Sequence, residues 1–345
     1  MLTHSCNLRC KYCYEKDSNY AKERMSRETI KKILPIIENI KDLNVTFWGG
    51  EPTLEYKNID YVISSLGKKA TYFTSSNGYE LTKLIPYLKK WQDTVKFEFQ
   101  VSYDFEPNQS NNRINKKGKS SNEDVLKTLF ELQKAKLDFN IKTTISPDYL
   151  LNIEQIYFDF QQLRSKLLDI YAGNDISLAI TLVNDVRIPL FTETILNKFK
   201  QQLTNILADA VNKNHNFMWF YPEKSLCTAG SNNICVDCDG KVYVCHSAIF
   251  TPSAKEHILG NIFTTPIKTL LKQKPWTYKI PKECKTCPAC LCFRCNIYNF
   301  EKSKKKTYNT RMYDFACDKN YCQIMKIISE FTYAYQKISG NTRSQ

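Results

Sequence analysis

Apolar positions change period along the chain. Between residues 26 and 41 they recur at Ile30, Ile33, Leu34 and Ile37, one face of a helix, with Ser26 placed to cap its start and Pro35 to bend it. Residues 43–48 (LNVTFW) switch to the β-branched and aromatic run of a strand, closed by the turn Gly49-Gly50. The same exchange repeats downstream. Helices are predicted at 57–66, 80–91, 122–136, 153–169 and 192–213, and strands at 70–75, 95–103, 138–145 and 176–183. A short first strand at 1–4 brings the strand count to six. Strands alternating with helices at this spacing form βαβ units around a parallel sheet. Six units fall short of the eight that close a barrel, so the expected fold is α/β, an open, partial (β/α)6 barrel of TIM-like design.

The unusual polar residues sit just after strands: Cys6–Cys13, Gly49–Glu51, Ser76-Asn77 and Ser102–Asp104. In a parallel barrel these strand ends share one rim, the C-terminal face on which chemistry is done.

Composition narrows the class. With 345 residues, 42% of them hydrophobic, the chain can bury a full core. No apolar run reaches the ~18 residues of a membrane span, and no charged-plus-apolar signal segment opens the chain, so the expected location is cytoplasmic. Fourteen cysteines in such a protein favour metal or redox chemistry over disulfides. Three lie at positions 6, 10 and 13, eleven between Cys227 and Cys322, and none in 14–226. That gap predicts a cysteine-poor barrel over 1–215, a cysteine-dense module over 216–325 and a C-terminal helix and tail over 326–345. The net charge of +14 suits an acidic peptide partner. Its lysines are scattered apart from Lys302 and Lys304–Lys306, and no aromatic-basic stripe marks a nucleic-acid binder.

Cys6-Asn-Leu-Arg-Cys10-Lys-Tyr-Cys13 is CxxxCxxC. Three thiolates can hold three irons of a [4Fe–4S] cluster and leave the fourth open to a ligand, whereas a structural zinc would want a fourth protein ligand nearby. This motif, with Tyr12 before its last cysteine, resembles that of the radical S-adenosylmethionine (radical SAM) enzymes. Four further segments match in order: Trp48-Gly49-Gly50-Glu51-Pro52 resembles the GGEP segment, Ser76-Asn77-Gly78 the polar strand end, Val101-Ser102-Tyr103-Asp104 the SxDG segment with Phe105 in place of Gly, and Asn112-Arg113 the arginine that pairs the cofactor carboxylate. The resemblance implies a cluster on Cys6, Cys10 and Cys13. It implies S-adenosylmethionine held by Tyr12, Gly49, Gly50, Glu51, Ser76, Asn77, Ser102 and Arg113, with Thr144 and Leu182 near the adenine. The glycines would let the main chain approach the methionine amino group, which Glu51 would also receive.

The second module reads Cys227-x12-Gly240-x4-Cys245, then Cys284-x2-Cys287-x4-Cys292-x2-Cys295, then Cys317 and Cys322. It resembles the SPASM domain, with Asp239-Gly240 turning a hairpin between strands 234–238 and 241–245. The resemblance implies two auxiliary [4Fe–4S] clusters. One takes Cys227, Cys245, Cys295 and either Cys235 or Cys238, with Cys235 preferred on strand geometry. The other takes Cys284, Cys287, Cys292 and either Cys317 or Cys322, with Cys290 able to exchange with Cys292. A zinc ribbon would explain the CxxC pairs but not the GGEP-like segment.

An enzyme of this class takes an electron from a donor such as a flavodoxin or ferredoxin, cleaves S-adenosylmethionine and abstracts a hydrogen from an unactivated carbon. Relatives with SPASM domains modify peptides or proteins, so the expected partner is a peptide, such as a precursor with an acidic leader. Two subclasses compete: maturases that cross-link ribosomally made peptides, and anaerobic sulfatase maturases that oxidise Ser or Cys to formylglycine. The latter carry an Asp directly after the hairpin cysteine; this chain has His246. Asp104 and His246 are the candidate catalytic residues. The reading of another class is a zinc or iron–sulfur module without catalysis.

Overall fold

A computed structural model of the protein describes residues 1–15, 23–182, 191–213, 218–220, 229, 233–266, 269–270, 277–279, 282, 287, 289, 297, 303, 306–307, 312–314 and 319–338. Its centre is a six-stranded parallel sheet in sequential order: β1 Leu43–Phe47, β2 Ala70–Ser76, β3 Phe97–Ser102, β4 Asn140–Ile145, β5 Leu178–Leu182 and β6 Met218–Phe220. The helices are α1 Arg27–Ile37, α2 Tyr56–Leu66, α3 Ile85–Thr94, the short α4 Asn108–Asn112, α5 Asn122–Lys134, α6 Ile153–Ile170 and α7 Glu193–Lys213. The Ser26 hydroxyl caps α1 by accepting from Thr29 N at 3.0 Å.

The count of six strands is met by a different set from the one expected. Residues 1–4 make only isolated bridges, Thr3 to Arg24 and to Gly49, while Leu2 N donates to Trp48 O at 2.7 Å. They occupy the place of a first strand without a ladder, because the segment turns at once into the cysteine loop. The sixth strand is Met218–Phe220, beyond the expected boundary at 215. At three residues it is too short for an alternation pattern to reveal.

Strand alternation fixes what faces the barrel interior. On β4, Ile141, Thr143 and Ile145 are fully buried beneath the helices, while Asn140, Lys142 and Thr144 are half-buried. Register carries that face across the sheet: Ser102 lies opposite Lys142, Lys142 opposite Ala179, and Thr144 opposite Thr181. The outer face packs into the core with the wholly buried Trp91, Tyr157, Phe160 and Phe199.

The cysteine-rich region opens with an antiparallel sheet of β7 Cys235–Val236, β8 Lys241–Tyr243 and β9 Ile258–Asn261. The turn between the first two is at the expected place, with Gly240 at φ +82°. A second sheet joins β10 Thr277–Lys279, β12 Met312–Asp314 and β11 Lys306–Thr307. The C-terminal helix α8, Lys319–Ile338, packs back on α7, and Phe331 meets Phe220 of β6 edge to face at 5.9 Å.

Candidate active site at the strand ends

The segment carrying Cys6 is locked onto the glycine pair after β1. Gly50 N donates to Thr3 O and Glu51 N to Ser5 O, both at 2.9 Å. A Cβ on Gly49 would come within 2.6 Å of Thr3 O, and one on Gly50 within 2.6 Å of Ser5 O. The close approach that these glycines permit is therefore to the protein's own residues 3–5. The Glu51 carboxylate is likewise occupied from within. Its Oε1 accepts from Thr53 N (3.1 Å), Thr53 Oγ1 (2.6 Å) and Ser76 Oγ (3.0 Å), and its Oε2 from Asn77 N (2.7 Å). Burial raises the Glu51 pKa against those bonds. Glu51 thus ties the end of β1 to the end of β2.

Asn77 extends the tie to the cysteine loop. Its amide donates to Asn7 Oδ1 at 2.8 Å and reaches Cys6 Sγ at 3.5 Å. Cys6, Cys10 and Cys13 are all half-buried. Burial pushes the Cys6 thiol up to about 12 and the Cys13 thiol up to about 11, and raises Cys10 despite the nearby Arg113 cation. Metal binding there would have to displace thiol protons.

The half-buried Tyr12 and the buried Asp104 and Arg113 form a trio behind this loop. The Tyr12 hydroxyl donates to Asp104 Oδ2. Arg113 Nη1 donates to the same hydroxyl at 3.1 Å and its Nη2 to Asn77 O at 3.3 Å. Asp104 Oδ1 accepts from Thr144 N at 2.9 Å. Both Asp104 oxygens are engaged and the residue is wholly buried, which corrects the expectation of a substrate-facing Asp104: it joins β3, β4 and the cysteine loop. Burial raises its pKa, with Arg113 opposing. Phe105, where the family pattern has Gly, takes the conformation glycine would supply, at φ +60°. Edge-to-face packing on Tyr103 at 4.8 Å and Phe160 at 6.2 Å holds it there.

The barrel interior presents Ser102 and Thr144. Leu182 pairs with Ile145 and belongs to the helix-packed side, so at the end of β5 the interior residue is Thr181. The one-residue shift reverses the face because strand side chains alternate. Thr181 Oγ1 and Arg113 Nε are buried with no partner among the described residues. Two such orphans, one beside the cysteine loop and one at the end of β5, fit a bound ligand carrying hydroxyl and carboxylate groups. Sequence reading missed Lys142, whose ammonium is desolvated in the interior and feels Asp104 and Arg113. Its only sequence signal is a charge at an inward strand position.

The hairpin module closes over this rim. His246, in the 3-10 turn His246–Phe250, packs on Trp48 at a 44° tilt with centroids 4.2 Å apart. Burial chiefly, with the N-terminal ammonium and Lys142 contributing, pulls its imidazole down to about 3. A second contact, also missed from sequence, joins His4 Nε2 to Asp237 Oδ1 at 2.8 Å, both buried. Cys235 and Cys238 are buried under Met1, Cys238 Sγ reaching Met1 O at 3.5 Å, while Cys245, Cys287 and Cys322 are half-buried. Cys227, Cys284, Cys290, Cys292, Cys295 and Cys317 lie outside the described residues.

Residues 1–159 match the family model of the radical SAM superfamily, and residues 227–296 that of an iron–sulfur cluster-binding domain, SPASM. The chain carries a radical SAM domain followed by a SPASM domain, a pairing that implies S-adenosylmethionine and iron–sulfur clusters. It is similar to the radical SAM cyclopropyl synthase TigE of Paramaledivibacter caminithermalis, 28% identical over 184 residues that span 47% of this chain and 38% of that protein. The matches span about half or less of the curated relatives, 56% and 38% of the first two. The fold is that of anSMEcpe with bound S-adenosylmethionine, with a TM-score of 0.74, 19% identity and coverage of 98% of this chain and 97% of that one. That protein has also been solved with the Kp18Cys peptide. SuiB of Streptococcus suis bound to the precursor peptide SuiA gives a TM-score of 0.61 at 12% identity, over 83% of this chain and 67% of that one. No helix among the described residues is long and apolar enough to cross a membrane.

Proposed function

We propose that this protein is a radical S-adenosylmethionine peptide maturase that removes a hydrogen atom from a peptide side chain or backbone and installs a cross-link in a ribosomally made peptide. The observation that carries the reading is His246. It stands directly after hairpin Cys245 and packs at a tilt on Trp48 beside the glycine pair. An imidazole at this rim can orient a substrate without the carboxylate base expected of a sulfatase maturase. The peptide complexes solved for anSMEcpe and SuiB support a peptide partner, and the similarity to a radical SAM cyclopropyl synthase supports a bond-forming radical chemistry.

In this reading Cys6, Cys10 and Cys13 hold the first cluster, and the auxiliary clusters belong to the cysteines from Cys227 to Cys322. Bound together, cluster and S-adenosylmethionine supply hydrogen-atom abstraction from an unactivated carbon. The chain's own residues do the rest. Arg113 and Thr181 offer their unpartnered atoms to the cofactor, Glu51 and Asn77 hold the cysteine loop, and Asp104 keeps Tyr12 and Arg113 in place. Ser102 and Thr144 line the interior, and His246 faces the peptide.

The test is anaerobic incubation with S-adenosylmethionine, dithionite and synthetic copies of short peptides encoded beside its gene. A cross-linked product is lighter by two hydrogens and carries no aldehyde. Capture of the product by a hydrazide would instead establish formylglycine formation and defeat the cross-linking assignment.

A further inference from the structure

The cysteine loop does not stand alone. Leu8 bridges Asn115, Arg9 N donates to Ile114 O at 2.6 Å, and Lys11 N donates to Asn112 O at 2.9 Å. The chain then folds back on itself: Ile114 bridges Ser120 and Asn115 N donates to Lys119 O at 2.8 Å, around Gly118 at φ +75°. The result is a small ribbon of three passes, residues 8–11, 112–115 and 119–120, whose first pass carries Cys10.

Its outer surface is basic. Arg9, Lys11, Lys116, Lys117 and Lys119 are all exposed. Segments 5–13 and 112–121 contain no Asp or Glu. No ion pair among the described residues engages Lys116, Lys117 or Lys119. The acids that described contacts bring near the loop are the wholly buried Asp104, bonded to Tyr12, Glu15, whose charge reaches Cys13, Glu80, which follows the Tyr79 touching Asn7 and Asn115, and Glu106, which accepts from Ser110. Arg9 and Lys11 flank Cys10 directly, each one peptide unit or ~3.8 Å away along the chain. A body seated on these exposed charges is therefore against the loop that carries Cys10.

We propose that this lysine ribbon is the docking surface for an acidic one-electron carrier protein, a small flavoprotein or iron–sulfur protein, that reduces the cluster. The proposal rests on the radical reading of the site. The carrier loses one electron and the cluster gains it; no proton or group moves. Charge of one sign around an electron entry point raises the encounter rate and orients the partner. An electron carrier gains from a close approach to Cys10, because the rate of electron transfer falls steeply with distance.

The experiment replaces Lys116, Lys117 and Lys119 together by Glu and compares reduced flavodoxin with dithionite as the reductant of the reconstituted enzyme. Flavodoxin binding is followed by calorimetry over a salt series. Expected is a loss of flavodoxin-driven 5′-deoxyadenosine release by about tenfold or more at low salt, weakened binding, and a salt dependence flatter than wild type. Iron content and dithionite-driven release should stay within about twofold of wild type, since these exposed side chains touch no buried group. Unchanged flavodoxin binding and rate in the variant would overturn the proposal, as would loss of peptide binding with electron delivery intact. If wild-type enzyme releases no 5′-deoxyadenosine with dithionite, the radical reading fails, while the binding series still decides the docking surface.

Discussion

Gly50 lies so close to Ser5 that a Cβ on it would meet the Ser5 carbonyl oxygen at 2.6 Å. This contact places the residue before Cys6, and neither backbone can retreat without breaking the Glu51 N to Ser5 O bond. Gly50→Ala should therefore act through the cysteine loop. Overpacking of this kind costs ~1–3 kcal/mol. Thermal unfolding should shift down by several degrees, and the iron bound by Cys6, Cys10 and Cys13 should fall sharply. A variant that unfolds and loads iron like wild type would show that the loop can give.

In the proposed function Arg113 serves the cofactor and His246 the peptide, and variants can separate the two. Arg113→Lys keeps a cation but loses the fork that spans the Tyr12 hydroxyl and the Asn77 carbonyl. Losing a charged hydrogen bond costs ~1.5–3 kcal/mol, so S-adenosylmethionine affinity, measured by equilibrium binding, should drop about 10–100-fold.

His246→Phe keeps a ring on Trp48 and removes the nitrogens. Cofactor binding and peptide-free 5′-deoxyadenosine release should stay near wild type, while modified peptide, followed by mass spectrometry, falls. Loss of cofactor cleavage or of iron would make the residue structural.

Auxiliary clusters can be counted. Three four-iron clusters give about twelve irons and twelve sulfides per chain after anaerobic reconstitution. About four irons accompanied by zinc would confine the iron chemistry to Cys6, Cys10 and Cys13.

Asp60 carries a pH prediction independent of any metal. Its Oδ1 accepts from Trp91 Nε1 at 2.9 Å and from Lys90 Nζ at 2.7 Å, which hold its carboxyl below the usual aspartate range. A depressed carboxyl pKa adds stability above the unfolded value of ~3.9 and loses it as pH falls through the folded value. Asp60→Ala leaves the indole N–H of wholly buried Trp91 unpaired, at a cost of ~1–3 kcal/mol. Urea unfolding at neutral pH should show that loss, and the difference from wild type should shrink under acid.

Local patterns were enough for the helices other than the short α4 and for five of the six sheet strands, because a helix face and a strand alternation are each written within a dozen residues. The cysteine spacing and the GGEP-like segment likewise named the chemistry, since metal ligation demands particular atoms at short range. What one sequence could not carry was which partner each polar residue would take. Glu51 and Asp104 both looked like ligands for something external. Folding instead surrounds each with internal donors, Thr53, Ser76 and Asn77 for one, Tyr12 and Thr144 for the other. Leu182 and Thr181 differ by a single step of strand register, which pairing with β4 decides and composition does not. Phe105 holds a left-handed backbone because Tyr103 and Phe160 pack around it from elements far apart in the chain. The His4–Asp237 and Trp48–His246 contacts span almost the whole gap between the two cysteine groups. Such pairs exist only once the barrel has formed, because the energy that selects them comes from burial shared by residues with no local signal in common.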